Sequence, residues 1–276
     1  MPGVSQEERI HMKSLYIYAA LALACAGTVA CSSYSTPANP ATNSTATAVT
    51  IALVGDSTMA PNSGYGDAFC ARWQNLNCLN RAKGGRSSGS YRAEGLWQNL
   101  LQELADKPGK RLVLIQFGHN DQPGKPGRST DLKTEFPANL ARYVDEIRAL
   151  GAEPVLLTPL TRRSFKDGQL QNDLRAWAEA AIEVAANKHV ALLDLNKLSY
   201  ELVQAMGQQQ ADTLAMAAPP AQTISSDTRA TEPQGAAKSA FDRTHLGKKG
   251  ADLFANVVQN ELLKLKPELA PWVQAP

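Results

Sequence analysis

Five short apolar runs, each closed by turn or polar residues and separated by helix-patterned stretches, constrain this chain more than any other feature. They are VTIALV (49–54), NCLNRA (77–82), RLVLIQF (111–117), EPVLLT (153–158) and HVALLDL (189–195). Runs that are apolar at successive positions, rather than at alternate ones, suit strands covered on both faces. NCLNRA is the weakest of the five. Between the runs, RAEGLWQNLLQELA (92–105) sets Leu96, Leu100, Leu101 and Leu104 on one helical face. FPANLARYVDEIRAL (136–150) groups Leu140, Val144 and Ile147, and Gly151 stops it. LQNDLRAWAEAAIEVAANK (170–188) and KKGADLFANVVQNELLKL (248–265) are amphipathic in the same way. Trp73, Trp97 and Trp177 are expected on helices in the core, and His189 is expected to open the fifth strand as a structural residue. Strands alternating with helices predict an α/β fold, a three-layer α/β/α sandwich around a five-stranded parallel sheet.

The ends of the chain carry a different composition. From Met12, MKSLYIYAALALACAGTVACSSYS has one lysine, an apolar run to Ala26 and then small residues. That is the layout of a secretory signal peptide, and the run is short for a membrane span. Residues 1–31 are therefore expected to be a leader starting at Met12. TVAC-SS further resembles a bacterial lipoprotein signal, in which Cys31 would be acylated and tether the protein to a membrane. Cleavage by an ordinary signal peptidase is the alternative, and both imply an exported protein, periplasmic, anchored to the outer membrane or secreted. Residues 32–48 are small, polar and proline residues apart from Tyr34, which reads as a flexible linker. The folded domain is expected over 49–276, with a low-complexity insert at 207–238. Inside it Cys70 and Cys78 are the remaining cysteines, either bridged in an oxidising compartment or present as buried thiols. A formal net charge of +2 argues against a nucleic-acid binder. A monomer is the expectation.

In open α/β sheets ligands bind beyond the carboxyl ends of the strands. The first strand is followed by GDSTM (55–59), the second by KGGRSSGSY (83–91), the third by GHND (118–121), and the fifth, well downstream, by DRTH (242–245). Each alone reads as a turn or cap. Together they hold the parts of an acyl-transfer site. A serine needs a base to become a nucleophile, and a histidine serves when a carboxylate fixes its tautomer. Asp242 and His245, three apart, can make that contact locally. A glycine N–H and an Asn amide suit a developing oxyanion. Ser57 is thus the candidate nucleophile, with Asp242 and His245 as its partners. Gly85 and Asn120 are the candidate oxyanion donors. Arg86, Arg162 and Arg163 follow strand ends and either face an anionic sugar or pair at the surface with Glu94 or Asp167. His119 is expected to orient its loop. No histidine or cysteine spacing suggests a metal.

The order GDS, Gly, G-x-N-D and D-x-x-H resembles the SGNH (GDSL-type) hydrolases over residues 51–260. GGRSSGSYRAEG, FGHNDQ, GRSTDLKTEFPANL, TPLTRRSF and DRTHLGKKGA look like the rhamnogalacturonan acetylesterases within that superfamily. The resemblance implies a flavodoxin-like fold and hydrolysis of O-acetyl esters on pectic polysaccharide without metal or cofactor. By motif position it also implies a Ser57–His245–Asp242 triad and an oxyanion hole made by the Ser57 N–H, the Gly85 N–H and the Asn120 side chain. The expected partner is an acetylated polysaccharide or oligosaccharide. A lipase-like or thioesterase-like hydrolase of other acyl esters and a non-catalytic glycan-binding surface lipoprotein are the rival readings. The binding protein would have no need of all three triad residues.

Overall fold

The computed structural model describes residues 48–219 and 241–275; Cys31, the leader and almost all of the linker lie outside the described residues. Five parallel strands form the sheet: β1 (Val49–Gly55), β2 (Asn77–Asn80), β3 (Lys110–Gln116), β4 (Glu153–Leu157) and, fifth in the sheet, β7 (Ala191–Leu193). Their spatial order is β2-β1-β3-β4-β7, which is the flavodoxin-like order. Between β4 and β7 lies a separate two-stranded hairpin, β5 (Phe165–Lys166) and β6 (Gln169–Leu170).

The strands alternate their buried side chains between two cores. Ile51, Leu53, Leu112, Leu114, Val155, Leu157 and Leu193 face one side, under α1 (Gly66–Cys70), α6 (Leu195–Asp212) and α7 (Lys248–Leu265). Ala52, Val54, Val113, Ile115 and Leu156 face the other. That side is covered by α2 (Ser90–Ala93), α3 (Leu96–Ala105), α4 (Glu135–Ala149) and α5 (Arg175–Asn187). The three layers follow from strands that are apolar on both faces.

Several boundaries differ from the sequence expectation, each for a local reason. The helix expected over 92–105 is broken, because Gly95 takes a left-handed backbone (φ 76°) between α2 and α3. The stretch 170–188 starts later, since Gln169 and Leu170 pair in the hairpin across an Asp167–Gly168 turn. His189 opens no strand: it has φ 48° in the turn before β7. Trp73 is core but not helical, bridging to Val273. Leu195 belongs to α6 rather than to the fifth strand, and Asp194 caps that helix by accepting from the Lys197 N–H at 3.2 Å. The insert expected at 207–238 is ordered at its start. Helix α6 kinks at Gly207, whose backbone is left-handed in φ and extended in ψ (φ 71°, ψ 164°), and a second helical segment continues to Asp212, with Ala211 and Leu214 buried. Residues 220–240 lie outside the described residues.

Cys70 at the end of α1 is bonded to Cys78 in β2, with Cα atoms 5.4 Å apart. Closing so short a loop contributes about 2–3 kcal/mol. Among the described residues no helix is long and apolar enough to cross a membrane.

Candidate active site

The order of strands reverses on either side of β1, so the carboxyl ends of β1 and β3 frame a crevice. The chain leaves β1 at Gly55 and turns at once, with the Met59 and Ala60 N–H groups bonding back to the Asp56 carbonyl at 3.2 and 3.0 Å. Ser57 sits in this turn and is 7% exposed. Beneath it runs a buried relay. Tyr65 Oη donates to Gln116 Oε1 (2.7 Å), Gln116 Nε2 donates to Thr58 Oγ1 (2.7 Å), and Thr58 Oγ1 donates to Asp56 Oδ1 (2.8 Å). The other oxygen of Asp56 lies 3.2 Å from His119 Nδ1. Burial works against the charge on Asp56, but His119 and the Thr58 N–H and hydroxyl outweigh it and hold its pKa below the ordinary carboxylate value. Burial pushes the His119 imidazole down, more than Asp56 pulls it up, so it is neutral near pH 7. Its Nε2 is buried with no protein partner among the described residues.

Two loops meet on the other side of Ser57. Gly85 lies in the loop after β2 with φ 78°, a left-handed conformation that only glycine adopts without strain. Asn120 follows β3, and its Nδ2 donates to the Arg86 carbonyl at 3.1 Å. An amide nitrogen carries two hydrogens, which leaves one for a ligand. Asp121 ties the same loops together, accepting from the Ser88 N–H (3.0 Å), the Ser88 hydroxyl (2.5 Å) and the Thr130 hydroxyl (2.9 Å). Burial raises the Asp121 pKa to about 6, despite those donors.

The Asp242 block reaches the site from the far end of the chain. Asp242 Oδ1 accepts from the Thr244 and His245 N–H groups at 2.7 and 2.6 Å, and Oδ2 lies 3.0 Å from His245 Nδ1. The carboxylate is part-buried, which raises its pKa, but the bonds from His245 and the two backbone N–H groups bring it below the ordinary value. The Leu246 N–H donates to the Ser63 carbonyl (2.9 Å) and Ser63 Oγ donates to the Ser57 carbonyl (2.8 Å). Two bonds therefore join the histidine block to the serine turn.

The three arginines picked out by sequence are used differently. Arg163 is fully buried. It donates through Nη2 to the carbonyls of His245 (2.7 Å) and Asp242 (3.1 Å), and through Nη1 to that of Thr244 (3.3 Å). It faces no solvent and so meets no sugar. Burial lowers its pKa to about 10, and three carbonyl dipoles compensate the desolvated charge. Arg162 pairs with Asp173, not with Glu94 or Asp167. Arg86 pairs with Glu94 at 2.8 Å. Arg243 clamps the same block from outside, pairing with Asp212 at the end of α6 at 2.9 Å. Arg128, which lies in the GRSTDLKTEFPANL stretch but is not among the candidate site residues, points its Nη1 at Asn120 Oδ1 across 3.4 Å.

A surface cleft of about 540 Å³ is bordered by Lys110, Glu153 and Ala191. These are the first residues of β3, β4 and β7, so that cleft lies at the opposite end of the strands from Ser57. Among the described residues no three His, Cys, Asp or Glu side chains cluster as metal ligands do.

Comparison with known proteins agrees with this architecture. The chain is 30% identical over 218 residues to the probable rhamnogalacturonan acetylesterase YesY of Bacillus subtilis, covering 78% of this chain and 89% of that protein. It is 30% identical over 226 residues to the rhamnogalacturonan acetylesterase RhgT of the same organism, covering 79% and 90%. The crystal structure of YxiM from Bacillus subtilis superposes with a TM-score of 0.62 at 24% identity, over 80% of this chain and 57% of that one, which shows the shared fold. Residues 53–253 match the GDSL-like lipase/acylhydrolase family, and with the strand-end motifs all inside that span, the chain belongs to that family.

Proposed function

We propose that the protein is a serine acetylesterase that removes O-acetyl groups from pectic polysaccharide of the rhamnogalacturonan type. The observation that carries this reading is the Asp242–His245 pair, 3.0 Å apart, bonded through Leu246 and Ser63 to the turn that bears Ser57. The similarity to two rhamnogalacturonan acetylesterases over most of their length supports the substrate class.

In the proposed reaction Ser57 Oγ attacks the acetyl carbonyl carbon and its proton passes to His245 Nε2. Asp242 holds the Nδ1–H and stabilises the imidazolium without taking the proton. The N–H groups of Ser57 and Gly85 and the free hydrogen of Asn120 Nδ2 receive the oxyanion, each such donor being worth roughly 10²–10³ in rate. The C–O bond to the sugar breaks, and the sugar oxygen takes the proton from His245. Water then attacks the acetyl-serine, with His245 as base, and acetate leaves.

Acetate release from acetylated rhamnogalacturonan, set beside acetylated xylan and acetylated homogalacturonan, tests the substrate. Preference for xylan would reject the pectic reading. Faster cleavage of long-chain than of acetyl p-nitrophenyl esters would instead favour a lipase-like or thioesterase-like hydrolase.

The reading places this activity outside the cytoplasm, with Cys31 acylated, on the strength of the leader composition alone. Amino-terminal analysis of the mature protein tests it: a start at any residue other than Cys31 rejects the anchor.

A further inference from the structure

Among the arginines near the site, Arg86 and Arg162 have acidic partners and Arg163 is spent on carbonyls. Arg128 is half-buried, and no Asp or Glu among the described residues pairs with it. A guanidinium has five N–H donors in a planar fork. This one makes a single long bond, 3.4 Å, to the side-chain oxygen of Asn120. An arginine so placed is underused by its own protein, which leaves its fork for a ligand.

What lies beside it suits a sugar. Arg128 lines a cleft of about 410 Å³ between the loop after β2 and the start of α4. Gly89 and Gly127 leave it open, Asn139 contributes an amide that uses one hydrogen on Ser88 Oγ (3.1 Å) and keeps a second, and no apolar side chain larger than alanine lines it. Of its charged groups, Glu135 is engaged by the Asp131 N–H at 2.7 Å, while Arg142 is only 3.9 Å from Glu146. The balance around the cleft is positive.

We propose that Arg128 and this cleft form a binding subsite for a uronate carboxylate of the polysaccharide, next to the Asn120 oxyanion donor. The proposal rests on the pectic reading above, whose polymer carries galacturonate, and it names the residue that would recognise the acid. Arginine suits the task because its fork matches a carboxylate through two parallel bonds. Its contact with the Asn120 side chain is what links this cleft to the proposed oxyanion donor.

The test is titration calorimetry with de-acetylated rhamnogalacturonan oligosaccharides, as the free acid and as the methyl ester of the same preparation. Wild-type protein should bind the acid about tenfold or more tightly than the neutral ester, as expected for a charge-assisted bidentate pair. Arg128→Gln should bind both forms alike, and Arg128→Lys should keep part of the preference. Thermal unfolding of each variant confirms that it is folded. Equal binding of acid and ester by the wild-type protein, or an undiminished preference in Arg128→Gln, overturns the subsite. Because binding is read without turnover, an Arg128-dependent preference in an enzyme that releases no acetate from rhamnogalacturonan supports the subsite while rejecting the proposed substrate.

Discussion

Asp56 and His119 form a buried pair, Oδ2 to Nδ1 at 3.2 Å, and each is the chain neighbour of a site residue. Asp56 precedes Ser57 and His119 precedes Asn120. The pair therefore sets the spacing between the turn of Ser57 and Asn120, the proposed nucleophile and oxyanion donor, at the carboxyl ends of β1 and β3. His119→Leu removes the bond and should lower kcat for p-nitrophenyl acetate by about 10–100-fold, since small misplacements of reacting groups cost that much. KM should change little. His119→Asn, whose amide can replace the Nδ1–H, should recover part of the loss. Equal loss in both variants would mean that the imidazole serves only to fill space.

Ser57→Ala should cut turnover by several orders of magnitude with the fold intact. Asp242→Asn keeps the shape but favours the wrong tautomer of His245, and should also lower kcat sharply. The double variant should be scarcely worse than Ser57→Ala, because residues acting as a unit are strongly non-additive. Losses that multiply would reduce Asp242 to a turn residue.

Arg163 should behave as a positioning residue. Arg163→Met leaves three carbonyls short of a donor in a buried site, and should destabilise the protein by about 3 kcal/mol or more. Arg163→Lys should restore stability only in part, since an ammonium cannot span carbonyls as a fork does. In either variant that folds, kcat rather than KM should fall. A rise in KM for acidic substrates, with unchanged thermal stability, would return Arg163 to substrate binding.

Asp121 carries the clearest pH signature. Its folded pKa is about 6, against an ordinary 3.8, so between those values the folded state holds more proton than the unfolded one. Its contribution to stability is therefore fully present below about pH 4 and lost as pH rises through 6, a swing on the order of 3 kcal/mol. Denaturant titrations of the wild-type protein and Asp121→Asn should show their stability difference moving in favour of the wild type by that order from pH 7 to pH 4. A constant difference would mean that the folded state does not raise the pKa of this carboxyl.

Replacing both Cys70 and Cys78 by serine should lower stability by about 2–3 kcal/mol. The bond joins α1 to β2 and involves none of the candidate site residues, so activity at room temperature should persist.

Much of this architecture was legible because apolar runs and helical periodicity are strong signals: all five sheet strands lie within two residues of their expected ends at the carboxyl edge. α7 spans 248–265, as its pattern indicates. Helix α6 was not expected, although Leu195, Leu198, Leu202 and Val203 have helical spacing, because the Gln-rich stretch after it reads as low complexity. The hairpin had a signal too, Asp167–Gly168, masked by the amphipathic pattern that follows. The candidate site residues could be picked out because the proposed acyl transfer demands particular side chains at strand ends. The uses of Arg163 and Arg128 could not. Both depend on which groups the fold places beside them, and charge alone does not separate an arginine that solvates three carbonyls from one whose donors stay open.

The bonds from Leu246 to Ser63 and from Ser63 to Ser57 join segments from opposite ends of the domain. Contacts so distant in sequence form late, after the intervening chain has paid its closure entropy. The proposed active site therefore has no working half. On refolding, helical and sheet signals should return before any turnover does, and hydrolysis of a chromogenic ester becomes a direct clock for the docking of the last helix.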